Sequence, residues 1–247
     1  MKATQDVQLR LLDLQATDTT RAQLAHRRAT LPALAELDRL SIQTDEAAAA
    51  VAQVSTKLDE LDQHIRALER EVDSVRTRAR RDQERMDAGT VSSAKELSSM
   101  QHEVQTLASK QRDLEDRELE LMEQREAVDA EVSAASRQLD QLTRAHALTV
   151  ERRDTSYVEI DADDAAALVL RDQLVAQLPA ELVAKYEQLR VRNAGVGAAA
   201  LRARRCQGCQ LELFGTALAQ LRSAPEEEVV YCEECGRILV RTAQSGL

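Results

Sequence analysis

The stretch VAQVSTKLDELDQHIRALEREVDSV, residues 51–75, places apolar side chains at Val51, Val54, Leu58, Leu61, Ile65, Leu68, Val72 and Val75. The spacings alternate between three and four residues without exception. That is the a/d seam of a helix supercoiling against a partner. A second seam runs through Leu97, Met100, Val104, Leu107, Leu114, Leu121, Val128, Val132, Ala135, Leu139 and Leu142. In its register Gln111, Glu118 and Arg125 fall on seam positions. Such polar residues lower stability and can fix register, or they mark a partly solvated stretch.

Between the seams lies Met86-Asp87-Ala88-Gly89-Thr90-Val91-Ser92-Ser93, and Gly89 is the only glycine before Gly195. A lone glycine between two long seams marks the point of reversal. Ser92 or Ser93 then caps the second arm, with Glu96 completing a capping box. Antiparallel arms centred on Gly89 would bring Leu168, Leu170 and Leu174 opposite Leu9, Leu11, Leu12 and Leu14. The surplus of leucines at 9–14 also offers a stripe for self-association.

Two places are expected to interrupt the arms. Pro32 in Thr30-Leu31-Pro32 cannot donate its helical hydrogen bond, so Thr30 would cap a restarted helix. Residues 155–164 lose the seam, and Ser156 or Asp161 is expected to break or restart the helix there. Pro179 then suits the first turn of a shorter helix, Ala180 to Arg192.

Composition agrees. Only 2% of the 247 residues are aromatic, with 7 Gly and 3 Pro, against 31% charged. A β sandwich, a barrel or a doubly wound domain needs more aromatic core and more turn residues, whereas long helices and coiled coils have this profile. No apolar run approaches the ~20 residues of a membrane span. Met1 to Arg10 has no hydrophobic signal core, and a cytoplasmic location is expected. After Asn193 the composition shifts: glycines and all four cysteines cluster. The expected fold class is mainly α, a long antiparallel coiled-coil hairpin over 1–193 with its turn near 87–92, followed by a small β zinc ribbon over 194–247.

The cysteines form two pairs, Cys206-Gln207-Gly208-Cys209 and Cys232-Glu233-Glu234-Cys235, separated by 22 residues. Two-residue spacing lets one tight turn present both thiolates to a tetrahedral zinc. The separation has room for a hairpin. Strand-like segments flank the pairs at Ala198 to Arg202, Val229 to Tyr231 and Ile238 to Arg241. Disulfides would require an oxidising compartment, and a thioredoxin-type site would require a βαβ context. The spacing therefore predicts one Zn2+ held by Cys206, Cys209, Cys232 and Cys235. Four thiolates close the coordination sphere, so the metal is structural, and it supplies folding energy to a segment too small to have much core.

Cys206-Gln207-Gly208-Cys209 followed by Cys232-Glu233-Glu234-Cys235-Gly236-Arg237-Ile238-Leu239, behind a helical hairpin, resembles the bacterial C4-type zinc ribbon family. Leu31-Pro32, Lys95-Glu96-Leu97 and Tyr186-Glu187-Gln188-Leu189-Arg190 extend the likeness. The resemblance implies a coiled-coil hairpin with a C-terminal ribbon. It also implies nucleic-acid binding, or contacts with RNA or with transcription or secretion machinery.

Charge is distributed unevenly. From Arg190 onward eight arginines face six glutamates, a balance of +2 within a chain of net charge −10. Arg202, Arg204 and Arg205 lead into the first cysteine turn and Arg237 follows the second. These four are the candidate phosphate contacts for RNA or single-stranded DNA, although arginines beside cysteine turns also neutralise thiolates. Glu226-Glu227-Glu228 and Glu233-Glu234 oppose such binding unless they face away. Phe214 is expected in the ribbon core and Tyr231 beside the zinc turn. The hairpin offers faces to protein partners; the alternative to nucleic-acid binding is a protein-only scaffold. His26, His64, His102 and His146 are scattered, and no Walker loop, dinucleotide fingerprint or Gly-x-Ser-x-Gly is present. A non-enzymatic role is expected.

Overall fold

The computed structural model describes residues 1–247. Four helices precede a small mixed region: α1 Gln5–Ala29, α2 Pro32–Asp87, α3 Ala94–Ala176 and α4 Ala180–Arg192. Then come β1 Ala198–Arg202, β2 Arg205–Cys206, α5 Gly215–Ser223, β3 Val230–Tyr231 and β4 Ile238–Val240. The fold is a long antiparallel helical hairpin with a small C-terminal β region. Packing divides the chain into two compact units, Ala35–Val150 and Met1–Leu34 with Glu151–Leu247.

The unit of residues 35–150 is a two-helix coiled coil built on both seams. Leu68, Val72, Val75, Leu107 and Leu114 form its buried cluster, with Ala79 and Leu121 packed against them. Two of the polar seam residues find partners: Gln111 Nε2 donates to Glu115 Oε1 at 2.8 Å, and Arg125 Nε meets Asp62 Oδ1 on the facing helix at 2.6 Å. Lys110–Glu71 and Arg78–Glu103 add further cross-helix ion pairs. At the reversal Gly89 takes φ +64°, a left-handed conformation costly for residues with a Cβ. Ser93 Oγ accepts the Glu96 amide at 3.1 Å, the N-cap expected there.

The other unit joins both ends of the hairpin to the ribbon. The break before Pro32 is present, but Thr30 serves the preceding helix: its amide and hydroxyl both donate to the His26 carbonyl, closing the C-terminus of α1. The expected interruption at 155–164 is absent, and α3 runs through it unbroken. Facing side chains of α1 hold this stretch instead. Arg21 pairs with Asp164 at 2.8 Å, Arg28 with Asp161 at 2.9 Å, and the Arg28 guanidinium lies 4.1 Å from the Tyr157 ring centroid. Ile160 is the apolar anchor, 1% exposed. Helix α4 begins after Pro179, whose carbonyl accepts the Leu182 amide.

Leu11, Leu14, Leu174, Leu178, Leu182, Tyr186 and Leu189 form one core with Ala198, Val229, Ile238 and Val240 of the ribbon. Leu11 and Leu14 thus meet Leu174 as the antiparallel arithmetic requires, whereas Leu9, Leu168 and Leu170 remain exposed. The sheet has the order β2-β1-β4-β3; β1 and β4 are parallel, and the other pairs are antiparallel. Between the cysteine pairs the chain forms α5 rather than a hairpin. Arg241, 9% exposed, ties this helix down by donating to the carbonyls of Leu221, Ala224, Pro225, Glu226 and Glu228.

Candidate metal centre

Two turns present the cysteines. In the first, β1 pairs with β2 so that Leu201 faces Cys206, both fully buried, and the Gln210 amide donates to the Cys206 carbonyl at 2.8 Å. In the second, the Gly236 amide donates to the Cys232 carbonyl at 2.8 Å. The residue after each pair takes a left-handed conformation, Gln210 at φ +64° and Gly236 at φ +69°. Gly208 has another purpose, which is space. A Cβ there would lie 2.6 Å from Arg237 Cδ and 3.0 Å from Ala199 Cβ.

The four Sγ atoms lie within 4.8 Å of one another. Cys206 and Cys235 are 4.0 Å apart and Cys209 and Cys232 3.8 Å. Four sulfurs at Zn–S distances of about 2.3 Å in a tetrahedron stand about 3.8 Å apart, so the spacing fits zinc. Cys206 and Cys232 are buried; Cys209 and Cys235 are partly exposed.

The electrostatics fit a dication equally well. Burial pushes the Cys206 thiol up and the Cys232 thiol up to about 12, although backbone amides point at both sulfurs. Those amides belong to Gly208 and Cys209 for Cys206, and to Glu234 and Cys235 for Cys232. Burial also opposes the Cys235 thiolate, but the Arg237 amide and guanidinium, with the neighbouring thiols, outweigh it and bring it down to about 7. A divalent cation offsets the charge that burial alone penalises, and metal binding releases the thiol protons. A four-thiolate set at this spacing is the donor set of one structural Zn2+, and the closed sphere gives the metal a folding role.

The structure separates the arginines predicted to act together. Arg237 belongs to the cysteine site: besides Cys235, its Nε donates to the Val196 carbonyl at 3.0 Å and its guanidinium to the Asn193 carbonyl at 3.1 Å. It is half-buried and fixes the linker between α4 and β1. Arg202, Arg204 and Arg205 are exposed at the β1–β2 turn. Ala203 and Arg204 at its tip take φ +44° and +60°. The C-terminal segment holds them there. The Ala203 amide donates to the Gln244 carbonyl and the Arg204 amide to the Ser245 carbonyl, both at 2.8 Å. Ser245 Oγ donates to the Leu201 carbonyl at 3.0 Å and Arg204 Nε to the Gly246 carbonyl at 3.1 Å.

Sequence reasoning missed this brace, because its bonds span some 40 positions and Thr242-Ala243-Gln244-Ser245 carries no motif. Glu226-Glu227-Glu228 precedes β3, at the sheet edge opposite β2. Glu212 is the exception, bridged to Arg205 across the backbone. Phe214 is not in the core but 69% exposed, and Tyr231 is 38% exposed.

Comparison with known proteins agrees with this geometry. Residues 14–194 match the CT398-like coiled coil hairpin domain, and residues 205–239 match the C4-type zinc ribbon domain. The protein Rv2229c of Mycobacterium tuberculosis is 36% identical over 241 residues, 98% of each chain. A solved structure from Mycobacterium smegmatis shares 36% identity and superposes with a TM-score of 0.87, covering 98% of this chain and 100% of that one. The structure of CT398 from Chlamydia trachomatis, 19% identical, has a TM-score of 0.66 over 96% of this chain and 98% of that one, a likeness of fold. With its hairpin and its C4 ribbon both matched, this chain is a member of the CT398-like coiled-coil hairpin family.

Proposed function

We propose that this chain is a non-enzymatic adapter: its ribbon contacts the phosphate backbone of RNA or single-stranded DNA, and its coiled coil engages protein partners. The observation that carries the reading is the braced β1–β2 turn, which displays Arg202, Arg204 and Arg205 to solvent at the sheet edge opposite Glu226-Glu227-Glu228. Arginines fixed on a rigid turn meet phosphate oxygens in a forked geometry with little ordering cost. Arg237, engaged with the zinc site, has a positioning role and no part in phosphate contact. The absence of catalysis is supported by a metal sphere closed by four thiolates and by four histidines dispersed along the helices, three of them exposed. A zinc-thiolate site suits the reducing cytoplasm, and no helix is long and apolar enough to cross a membrane.

The test is fluorescence anisotropy of labelled RNA, single-stranded DNA and duplex against the full zinc-loaded chain at several salt concentrations. Binding should weaken as salt rises. The Arg202→Ala/Arg204→Ala/Arg205→Ala variant should flatten the log–log salt slope by roughly 2, about 0.7 per lost contact. Glu212→Gln, which removes the carboxylate beside Arg205, should tighten binding. No binding at low salt by the parent chain would overturn the reading and leave the ribbon as a protein-docking module.

A further inference from the structure

Phe214 is the only phenylalanine in the chain, and its ring stands 69% exposed while Leu213, Ala217 and Leu221 around it are buried. Its position follows from three backbone contacts. The Cys206 amide donates to the Leu211 carbonyl at 2.9 Å, Arg205 bridges Glu212, and the Leu213 amide donates to the Arg204 carbonyl at 2.8 Å. Residues 211–213 therefore lie antiparallel along β2 as an outermost strand, and Phe214 comes next, level with the Ala203–Arg204 turn.

Among residues 211–214 only Leu213 is buried, Leu211 being 49% exposed, and the pleat puts Glu212 and Phe214 on the face opposite Leu213. Arg202 and Arg205 are cross-strand partners and are exposed too. The outer surface thus carries a row, Arg202 to Arg205 to Glu212, with Phe214 one pleat further on, roughly 6–7 Å along the strand. The backbone at Phe214 is extended, at φ −130° and ψ 168°, and α5 starts with the next residue. An aromatic ring held on a braced sheet edge beside guanidinium groups is the pairing that single-strand binders use: cations for the backbone, a π-face for the base.

We propose that Phe214 is a stacking platform for an unpaired base, so that ring and arginine turn together select single-stranded nucleic acid over duplex. The proposal rests on the phosphate-binding reading above and adds the class of nucleic acid. Phosphates lie against Arg202, Arg204 and Arg205, and one base of the same strand turns onto the ring. In a duplex the base faces are already stacked, so only the backbone contacts remain.

The experiment uses the full zinc-loaded chain with a labelled single strand, its duplex, and an abasic strand of the same length. The parent should prefer the base-bearing single strand. Phe214→Ala should weaken that complex roughly 5- to 100-fold, the range for loss of one base–aromatic stack. Its affinity for the abasic strand and the duplex should not change, and its zinc content should match the parent. The chain has no tryptophan, so Phe214→Trp supplies a single tryptophan that can be excited apart from the tyrosines, and whose emission the base-bearing strand should quench and the abasic strand should not. Unchanged affinity of Phe214→Ala for every strand, or an equal loss on all three, overturns the stacking platform while leaving the arginine reading in place. No binding of any strand by the parent overturns the arginine reading, and this one with it.

Discussion

The phenol of Tyr186 donates a 2.7 Å hydrogen bond to Asp18 Oδ2, joining α4 to α1 across 168 positions of sequence. Tyr186 is fully buried and Asp18 is 6% exposed. The other carboxylate oxygen accepts Arg171 Nε at 2.7 Å, and Arg171 and Arg190 both engage Glu187. One buried carboxylate thus gathers a tyrosine and two arginines from α3 and α4. Tyr186→Phe removes one bond to a charged acceptor and should cost about 1.5–3 kcal/mol. Asp18→Ala leaves the buried Tyr186 hydroxyl without its acceptor and Arg171 and Arg190 with Glu187 as their shared counter-charge, and should cost about 3–5 kcal/mol. Urea denaturation of the zinc-loaded chain measures both.

The same pair has a pH signature. Burial first, and then the hydrogen bond to Asp18, raise the Tyr186 pKa above its ordinary value. The folded phenol keeps its proton after the unfolded one, with a pKa of about 10, has released it. Unfolding then releases a proton, so this contribution is complete below about pH 10 and is lost as pH rises beyond it. Denaturation midpoints measured from pH 8 to pH 11 should fall more steeply for the parent than for Tyr186→Phe.

At the cysteines, replacement of any one by Ser should reduce zinc below one ion per chain and open residues 194–247 to protease. The coiled coil of residues 35–150 should keep its helical circular dichroism, because its core contains no ribbon residue. Metal analysis with limited proteolysis decides this. Full zinc content and unchanged protection in the Cys232→Ser chain would contradict four-thiolate ligation.

Two glycines should respond to alanine for different reasons. A Cβ at Gly197 would lie 2.6 Å from the Tyr186 carbonyl oxygen and 2.8 Å from its ring, both fixed in the core. Gly197→Ala should cost about 2–3 kcal/mol through overpacking. Gly89 faces open space at φ +64°, so alanine there should cost only about 1–2 kcal/mol of backbone strain. Thermal melts of the two variants should differ in that order.

Much of this fold was legible because its signals are local or strictly periodic. The 51–75 seam stays buried or half-buried along its length since supercoiling demands that spacing, and β1 and α4 have the bounds read from sequence. The failures have a common cause. Residues 155–164 looked like a break because their anchors, Arg21 and Arg28, lie on another helix. Helix α5 starts at Gly215 with Phe214 at its N-cap position and no side-chain cap, so nothing announced it. The zinc ligands were readable from spacing alone. The fate of Arg237 was not, since its carbonyl partners at Asn193 and Val196 belong to a linker more than 40 positions away.

The shared core of helix and ribbon also orders events during synthesis. Leu11 and Leu14 leave the ribosome early, yet the residues that cover them include Val229, Ile238 and Val240. The amides of Ala3 and Val229 likewise pair with carbonyls at opposite ends of the chain, Glu227 and Met1. Leu174, Leu178, Leu182 and Tyr186 cover part of that apolar stripe first, and its cover is complete only when residues 229–240 have been translated. Cys232 and Cys235 arrive at the same late moment, so metal capture and closure of this unit coincide. The coiled coil of residues 35–150 is complete well before that, and it can fold while the chain is still tethered.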